Sequence, residues 1–366
     1  MNILKVVTCL GIGGAENQVL TLAKGLAEQG HFVTIVSLFD IKPEYVIVNT
    51  DGVKVIKLEI RKNLFGYLKS IWQVRTLIQN LRPDVIHSHM SHANIICRSA
   101  NILSSKSKLI CTAHGPFDGG RFGAFLYKMT NWMGDYLTNV SQGAVDSFIR
   151  NGYVKADGIS VVYNAIDVGK FSFSPNSRVA TRKALGLSQN TFVYLCIGRL
   201  TEQKDYETLI NSYYRLNNES VLVIVGDGPL RAKIQEQVNK LSLSNKVIFL
   251  GLRNDVPDLL SAADCFVLAS KWESFGLVVG EAMSSGLPVV CTDCGGVDEI
   301  IQSRFELSKV GDVHHFSDLM HQAYCQKCDI EDRKTNEYVH LIENKFSLNS
   351  VARQWTDIYC KVSGLK

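Results

Sequence analysis

Residues 264–293 read DCFVLASKWESFGLVVGEAMSSGLPVVCTD. CFVLAS is a short apolar run closed by a serine, the middle segment has the length and composition of a buried helix, and LPVVCTD is a second apolar run. Strand, helix and strand in so short a span form a βαβ unit, whose crossover makes the two strands parallel. Ligands of parallel sheets collect beyond the C-terminal ends of the strands. The loop KWES, with Glu273, falls at such an end. A second carboxylate, Glu281, follows inside the helix among apolar residues, an arrangement that ordinary helix packing does not demand.

The same grammar extends on both sides. TFVYLCIGRL, SVLVIVGDG and KVIFLG alternate with the helix-like KDYETLINSYYRL and PLRAKIQEQVNKL, which makes five short strands and a doubly wound α/β sheet. Nearer the start, ILKVVTCL, GGAENQVLTLAKGLAEQ and HFVTIVSL open a first copy, continued by DVIHSH, KLICTAHG and YLTNVS. The irregular stretch at 167–180 separates the copies. A chain of 366 residues exceeds one comfortable core. The expectation is therefore two Rossmann-like domains facing across a cleft, over residues 1–170 and 171–345. Residues 346–366 form a terminal helix, for which packing back on the N-terminal domain is one option.

Composition excludes several classes. Apolar residues make up 46% of the chain and charged ones 20%, with no low-complexity tract and no internal repeat, so a packed enzyme or binding protein is indicated rather than a disordered one. Lys5 interrupts the first apolar run, and GGAE stands where a small-residue cleavage site would be needed. That run reads as a first strand, and a cytoplasmic protein is expected. No window reaches the 18 apolar residues of a spanning helix, so membrane contact would be peripheral. Net charge is +4 but unevenly spread: residues 1–170 hold 18 Lys plus Arg against 12 Asp plus Glu, and the remainder holds 21 against 23. The first half is the better candidate for an anionic surface or substrate. No nucleic-acid partner is expected. Two C-x-x-C pairs, Cys291/Cys294 and Cys325/Cys328, resemble a zinc site superficially. Cys291 sits where a strand residue belongs, which favours reduced cysteines acting as small hydrophobes.

Several segments can carry chemistry. The loop Gly11-Ile12-Gly13-Gly14-Ala15-Glu16 joins the first strand to the first helix, where N–H groups favour an anion. A dinucleotide fingerprint would have glycine in place of Glu16. Close approach of a ligand to Gly13 and Gly14 is the preferred reading, beside that of a plain tight turn. Arg199 and Lys204 follow a strand end and can neutralise a diphosphate, or can be solvated charges; the stretch alone leaves the two readings even. Gly276 and Leu277 open a helix with amides free for phosphate oxygens, and Glu281 can accept two sugar hydroxyls. Either glutamate alone would more readily be an exposed loop residue or a lysine partner. His87, His89 and His92 resemble a metal site by composition, but alternation gives His92 no defined ligand geometry.

The ordered series Gly198-Arg199-Leu200, Gln203-Lys204, Gly226-Asp227-Gly228-Pro229-Leu230, Glu273-Ser274-Phe275-Gly276-Leu277, Glu281-Ala282-Met283, Gly286-Leu287-Pro288 and Gly295-Gly296, with Gly13-Gly14-Ala15-Glu16 and Asn164-Ala165-Ile166-Asp167, resembles the retaining GT-B glycosyltransferases of family four, the glycosyl transferases group 1. The resemblance implies that Arg199 and Lys204 bind the diphosphate of a nucleotide-sugar, that Glu273 lies by the transferred sugar, and that Phe275, Gly276 and Leu277 line the donor. It implies Glu281 at the ribose, the Gly13-Gly14 loop near the diphosphate, and His114 at the sugar. The catalytic set is then His114, Glu273, Arg199 and Lys204, with no metal and no cofactor. The implied reaction moves a hexose or N-acetylhexosamine from a UDP-sugar to a glycan or polyprenyl-diphosphate-linked acceptor, in bacterial surface polysaccharide assembly of the O-antigen kind. A UDP-sugar epimerase and a non-catalytic nucleotide-sugar-binding protein are the alternatives. The acceptor is expected at the N-terminal domain, near residues 54–83 and the loop Gly115–Phe122. There the basic and apolar residues suit either an anionic membrane surface at the inner face of the plasma membrane or a core-packed helix with a basic outer face. Beyond residue 301 the chain departs from the family pattern.

Overall fold

A computed structural model describes residues 1–11, 13–39, 52–60, 63–104, 107–115, 120–326 and 331–365. Ile12 of the glycine loop, Arg61, Lys62, residues 116–119 of the expected acceptor loop and Cys328 lie outside the described residues.

The chain divides into two compact units, Met1–Ala165 with Leu348–Lys366, and Ile166–Ser347. The first holds seven parallel strands: β1 (Asn2–Val7), β2 (Phe32–Ser37), β3 (Val53–Lys57), β4 (Val85–His89), β5 (Lys108–Ala113), β6 (Tyr136–Asn139) and β7 (Ser160–Val161), in the order β3-β2-β1-β4-β5-β6-β7. The second holds β8 (Phe192–Ile197), β9 (Ser220–Val225), β10 (Val247–Gly251), β11 (Cys265–Leu268) and β12 (Val289–Cys291), in the order β10-β9-β8-β11-β12. Each order reverses beside its first strand, which opens a crevice at the strand ends because the two neighbouring crossovers lie on opposite faces. In the first unit that switch lies between β1 and β4, and in the second between β8 and β11.

Both faces of the first sheet are covered, which is why its strands read as continuous apolar runs. Ile3 and Val7 pack with Leu22 and Leu26 of the helix Gly14–Glu28 and with Val351, Trp355 and Tyr359 of the helix Leu348–Ser363. Leu4 and Val6 pack on the opposite side with Val74 and Ile78 of Leu64–Leu81 and with Ile96 of Ser91–Ile102. The terminal helix therefore belongs to the first unit, beside the helix Gly14–Glu28. The unit boundary falls at Ala165/Ile166 instead of after residue 170. Ile166 donates its N–H to the Phe346 carbonyl at 2.8 Å, and its side chain fills the space that the missing side chain of Gly280 leaves.

In the second unit one face packs Tyr194, Leu209, Ile224, Ile234, Phe316 and Met320. Its base is tied by arginines. Arg178 and Arg182 each place a guanidinium 2.6 Å from the Asp264 carboxylate, and Arg178, Arg182 and Arg333 together take up carbonyls at the C-terminal end of the helix Val256–Ala262. Asp264 also accepts the Val193 N–H at 2.8 Å, so one buried carboxylate joins this arginine cluster to β8 and to the start of β11. Removing a partner from a buried pair leaves an uncompensated charge, at about 3–5 kcal/mol. Asp264→Ala should accordingly lower the unfolding free energy measured in urea by that amount, with the midpoint falling in proportion; an unchanged midpoint would contradict the role given to Asp264.

Candidate functional site

At the second unit's switch point, β8 runs into Gly198-Arg199 and β11 into Ser270–Phe275. Lys204, in the turn Glu202–Lys204, folds its aliphatic stem across Gly198, where a Cβ would lie 3.1 Å from Lys204 Cε. Its ammonium meets Glu273 Oε1 at 2.5 Å, and the same oxygen accepts from Ser270 Oγ at 2.7 Å. Both charged side chains are mostly buried. Arg199 is exposed and makes no ion pair among the described residues. The motif thus supplies one cation already neutralised by a carboxylate and one that is not.

The backbone of Glu273 is gripped from the far side. Its N–H donates to the Cys294 carbonyl at 2.8 Å, and its carbonyl accepts the Gly296 N–H at 3.1 Å. A Cβ on Gly296 would come 2.4 Å from the Ser274 carbonyl oxygen, so the Gly295-Gly296 pair is there to let two loops touch. Gly276, at φ 85°, turns the chain into the helix Leu277–Ser284. The amides of Gly276, Leu277 and Val278 precede the first intrahelical donor, and they open at the same strand end as Lys204. Phe275 enters only through its backbone, because its ring is buried against Phe346 at 5.7 Å between centroids.

Glu281 lies one turn into that helix, between the buried Gly280 and Ala282. No hydrogen bond or ion pair engages its carboxylate among the described residues, and burial pushes it up to about 7, with the Lys170 ammonium pulling the other way. The residue is only half-buried, so its carboxylate is within reach of solvent or of a ligand.

The first unit's switch point carries a different arrangement. A Cβ on Gly13 would lie 2.3 Å from Glu16 Oε2, so the Glu16 carboxylate itself sits against the glycine loop, with the Cys9 thiol donating to it at 3.6 Å. The residue that departs from the dinucleotide pattern thus occupies the space where an anion was expected, and a phosphate there would have to displace it. Across the sheet, on the face covered by the terminal helix, runs a buried polar stripe. Lys5 Nζ is 3.2 Å from His89 Nε2, and His89 Nδ1 is 3.1 Å from His114 Nε2. His87 bridges Tyr359 and Thr112 at 2.7 Å each, with Trp355 against its ring. Burial is the main cause that lowers all three histidines, His114 to about 3 and His87 and His89 well below their ordinary value. His92 is not in the stripe; it stacks with Tyr67. No group of three or more His, Cys, Asp or Glu with a metal-binding arrangement occurs among the described residues.

The structure therefore joins Lys204 to Glu273 and places Arg199, Phe275, Gly276 and Leu277 at strand ends of the same unit, with Glu281 one turn into the following helix; Gly13, Gly14 and His114 lie in the other unit. Sequence reading did not single out Ser270 or Lys170 as site groups, weighed His89 only within a discounted metal cluster, and took Lys5 only as evidence against a leader. The signal for Lys5 was there: a lysine at the centre of an apolar strand needs a partner.

The glycosyl transferases group 1 family matches residues 177–341, and Glycosyltransferase Family 4 matches residues 12–170. The Escherichia coli UDP-Gal:alpha-D-GlcNAc-diphosphoundecaprenol alpha-1,3-galactosyltransferase is 31% identical over 272 residues, covering 69% of this chain and 70% of that protein. The Bacillus anthracis N-acetyl-alpha-D-glucosaminyl L-malate synthase is 27% identical over 328 residues, 85% of each chain. Among solved structures, Anabaena HepE in complex with UDP superposes with a TM-score of 0.84 at 22% identity, covering 99% of this chain and all of that one. With the family matched in both units and the galactosyltransferase aligned over most of its length, this chain belongs to the glycosyl transferases group 1 and is built from the two Rossmann-like units of the GT-B fold.

Proposed function

We propose that the protein is a retaining glycosyltransferase that moves a hexose or N-acetylhexosamine from a UDP-sugar to a lipid-linked glycan acceptor in bacterial surface polysaccharide assembly. The observation that carries this reading is the strand-end constellation of the second unit: Arg199 without a counter-ion among the described residues, Lys204 held by Glu273, three amides from Gly276 onward that precede the first intrahelical donor, and the Glu281 carboxyl, which burial raises. It offers two cations and a helix start to a diphosphate, and an acceptor-only carboxylate to a ribose diol. The galactosyltransferase relative, named for a UDP-sugar and a diphosphoundecaprenol acceptor, supports the donor and acceptor classes.

In this reading the anomeric C–O bond breaks and its electron pair leaves with the nucleoside diphosphate, where Arg199 and Lys204 meet the developing charge. The acceptor hydroxyl attacks from the same face, and its proton passes to the departing phosphate oxygen, so no protein nucleophile is needed. Glu273 has two tasks. It fixes Lys204 and offers its second oxygen to the sugar, while His114 donates to a sugar oxygen.

Peripheral membrane contact has its own support. No described helix is long and apolar enough to cross a membrane. The helix Leu64–Leu81 gives Val74 and Ile78 to the core yet exposes Phe65, Leu68 and Trp72, the last at 62%. The helix Gly120–Thr130 exposes Phe122, Phe125 and Met129 at the same i, i+3, i+7 spacing. Exposed Lys69 and Lys128 flank these stripes, which suits an anionic interface.

Incubation with UDP- and GDP-sugars and lipid-pyrophosphate glycans, read by product mass and anomeric NMR, tests the reading. An epimerised free donor or unreacted mixtures would favour the epimerase or a silent binder. Arg199→Ala and Lys204→Ala should each slow transfer by roughly 10²–10³-fold; intact rates would remove the diphosphate assignment. Because the two cations take the place of a divalent ion, EDTA should leave the rate unchanged, and loss restored by magnesium or manganese would refute that. Only the ionised Glu281 accepts two hydroxyls, so the KM for donor should rise about tenfold from pH 8 to pH 6 as the group protonates through about 7. Glu281→Gln should flatten that dependence. Its stability effect has a definite sign: a carboxyl raised in the folded state loses stability as pH climbs from its unfolded value towards 7. The Gln variant should therefore melt higher than wild type at pH 8 while binding donor less tightly.

A further inference from the structure

The buried stripe of the first unit contains a directional hydrogen-bond chain. We propose that Lys5 and His89 are positioning residues that hold His114 in the tautomer protonated on Nδ1, so that this atom donates a hydrogen bond to an oxygen of the bound sugar. The proposal rests on the assignment of His114 to the sugar made above, but the chain itself is a property of the free protein.

The direction follows from what each group can do. An ammonium has three donors and no acceptor, so across the 3.2 Å contact Lys5 donates and His89 Nε2 accepts. A neutral imidazole that accepts at Nε2 carries its proton on Nδ1, and His89 Nδ1 therefore donates to His114 Nε2 at 3.1 Å. The same rule places the proton of His114 on Nδ1. That atom is buried and has no partner among the described residues. An unpaired buried donor is unfavourable, and a hydroxyl or ring oxygen of a ligand would relieve it.

The surroundings keep the chain isolated. Lys5 is fully buried, sits between His87 on β4 and Ile35 on β2 in the strand register, and has no carboxylate partner among the described residues. The titratable groups packed around it are His87, His89, His114 and, from the terminal helix, Tyr359. His87 is committed elsewhere, to Tyr359 and Thr112, and Thr112 is in turn 2.7 Å from Thr138. Among the described residues no other contact competes for Lys5. Burial pushes Lys5 down to about 7 and His114 to about 3, so at pH 6 Lys5 is an ammonium while His114 is neutral. Above pH 7 a neutral Lys5 can accept, and the chain is then free to reverse.

The test is a tautomer measurement on the full chain labelled with ¹⁵N-histidine, without substrate. Two-bond ¹H–¹⁵N correlation spectra at pH 6 identify His114 as the ring whose signals vanish in His114→Asn. The expected wild-type pattern is a proton on Nδ1 and a bare Nε2. Lys5→Met, which replaces the ammonium with an apolar side chain of similar length, and His89→Leu should each abolish this bias. A wild-type His114 protonated on Nε2, or a bias that persists in either variant, would overturn the chain. Kinetics separate this from the sugar assignment: Lys5→Met should raise the KM for donor about tenfold at pH 6. A lost bias with an unchanged KM would refute the sugar-facing role of His114 while the glycosyl transfer itself still stood.

Discussion

Everything at the second unit's strand ends is arranged around the Glu273 carboxylate. It accepts from Lys204 and Ser270 on one side, while its peptide group is hydrogen-bonded to Cys294 and Gly296 on the other. A mostly buried ion pair of this kind contributes little to stability by itself, because desolvating two charges offsets most of their attraction. What it supplies is position. Lys204 is a long and flexible cation that would otherwise sample many rotamers, and Glu273 keeps it at the end of β8. The same contact leaves Arg199 as the cation without a carboxylate partner among the described residues, so these strand ends present one charge that is free and one that is already in place.

The glycines around this pair follow from it. Gly296 has no side chain because the backbone of Ser274 and Phe275 passes where its Cβ would be, and Gly276 takes the left-handed conformation that lets the chain leave the loop and start a helix within one residue. Much of this was legible beforehand. Apolar runs closed by polar residues gave both parallel sheets, and Glu281 stood out as a carboxylate in an apolar helix. Pairings remote in sequence did not: 69 residues separate Lys204 from Glu273, and 84 separate Lys5 from His89. No local periodicity encodes such contacts, since they depend on which strands neighbour one another at the switch points. The position of Glu16 was missed for a related reason. Its type ruled against a dinucleotide fold, but only its rotamer shows that it lies on Gly13.

Each unit also holds a polar group that no other described residue engages. Glu281 is desolvated without a hydrogen-bond partner among the described residues, and His114 Nδ1 is buried with none. Proteins tolerate such groups only where the rest of the fold compensates, and here the arginine-clamped base of one unit and the doubly covered sheet of the other do so. A ligand that pairs with either group gains more than the same contact would give on a hydrated surface, because the desolvation has already occurred in the folded chain. In the proposed reading, part of the donor's binding energy therefore arises at Glu281 in one unit and at His114 in the other.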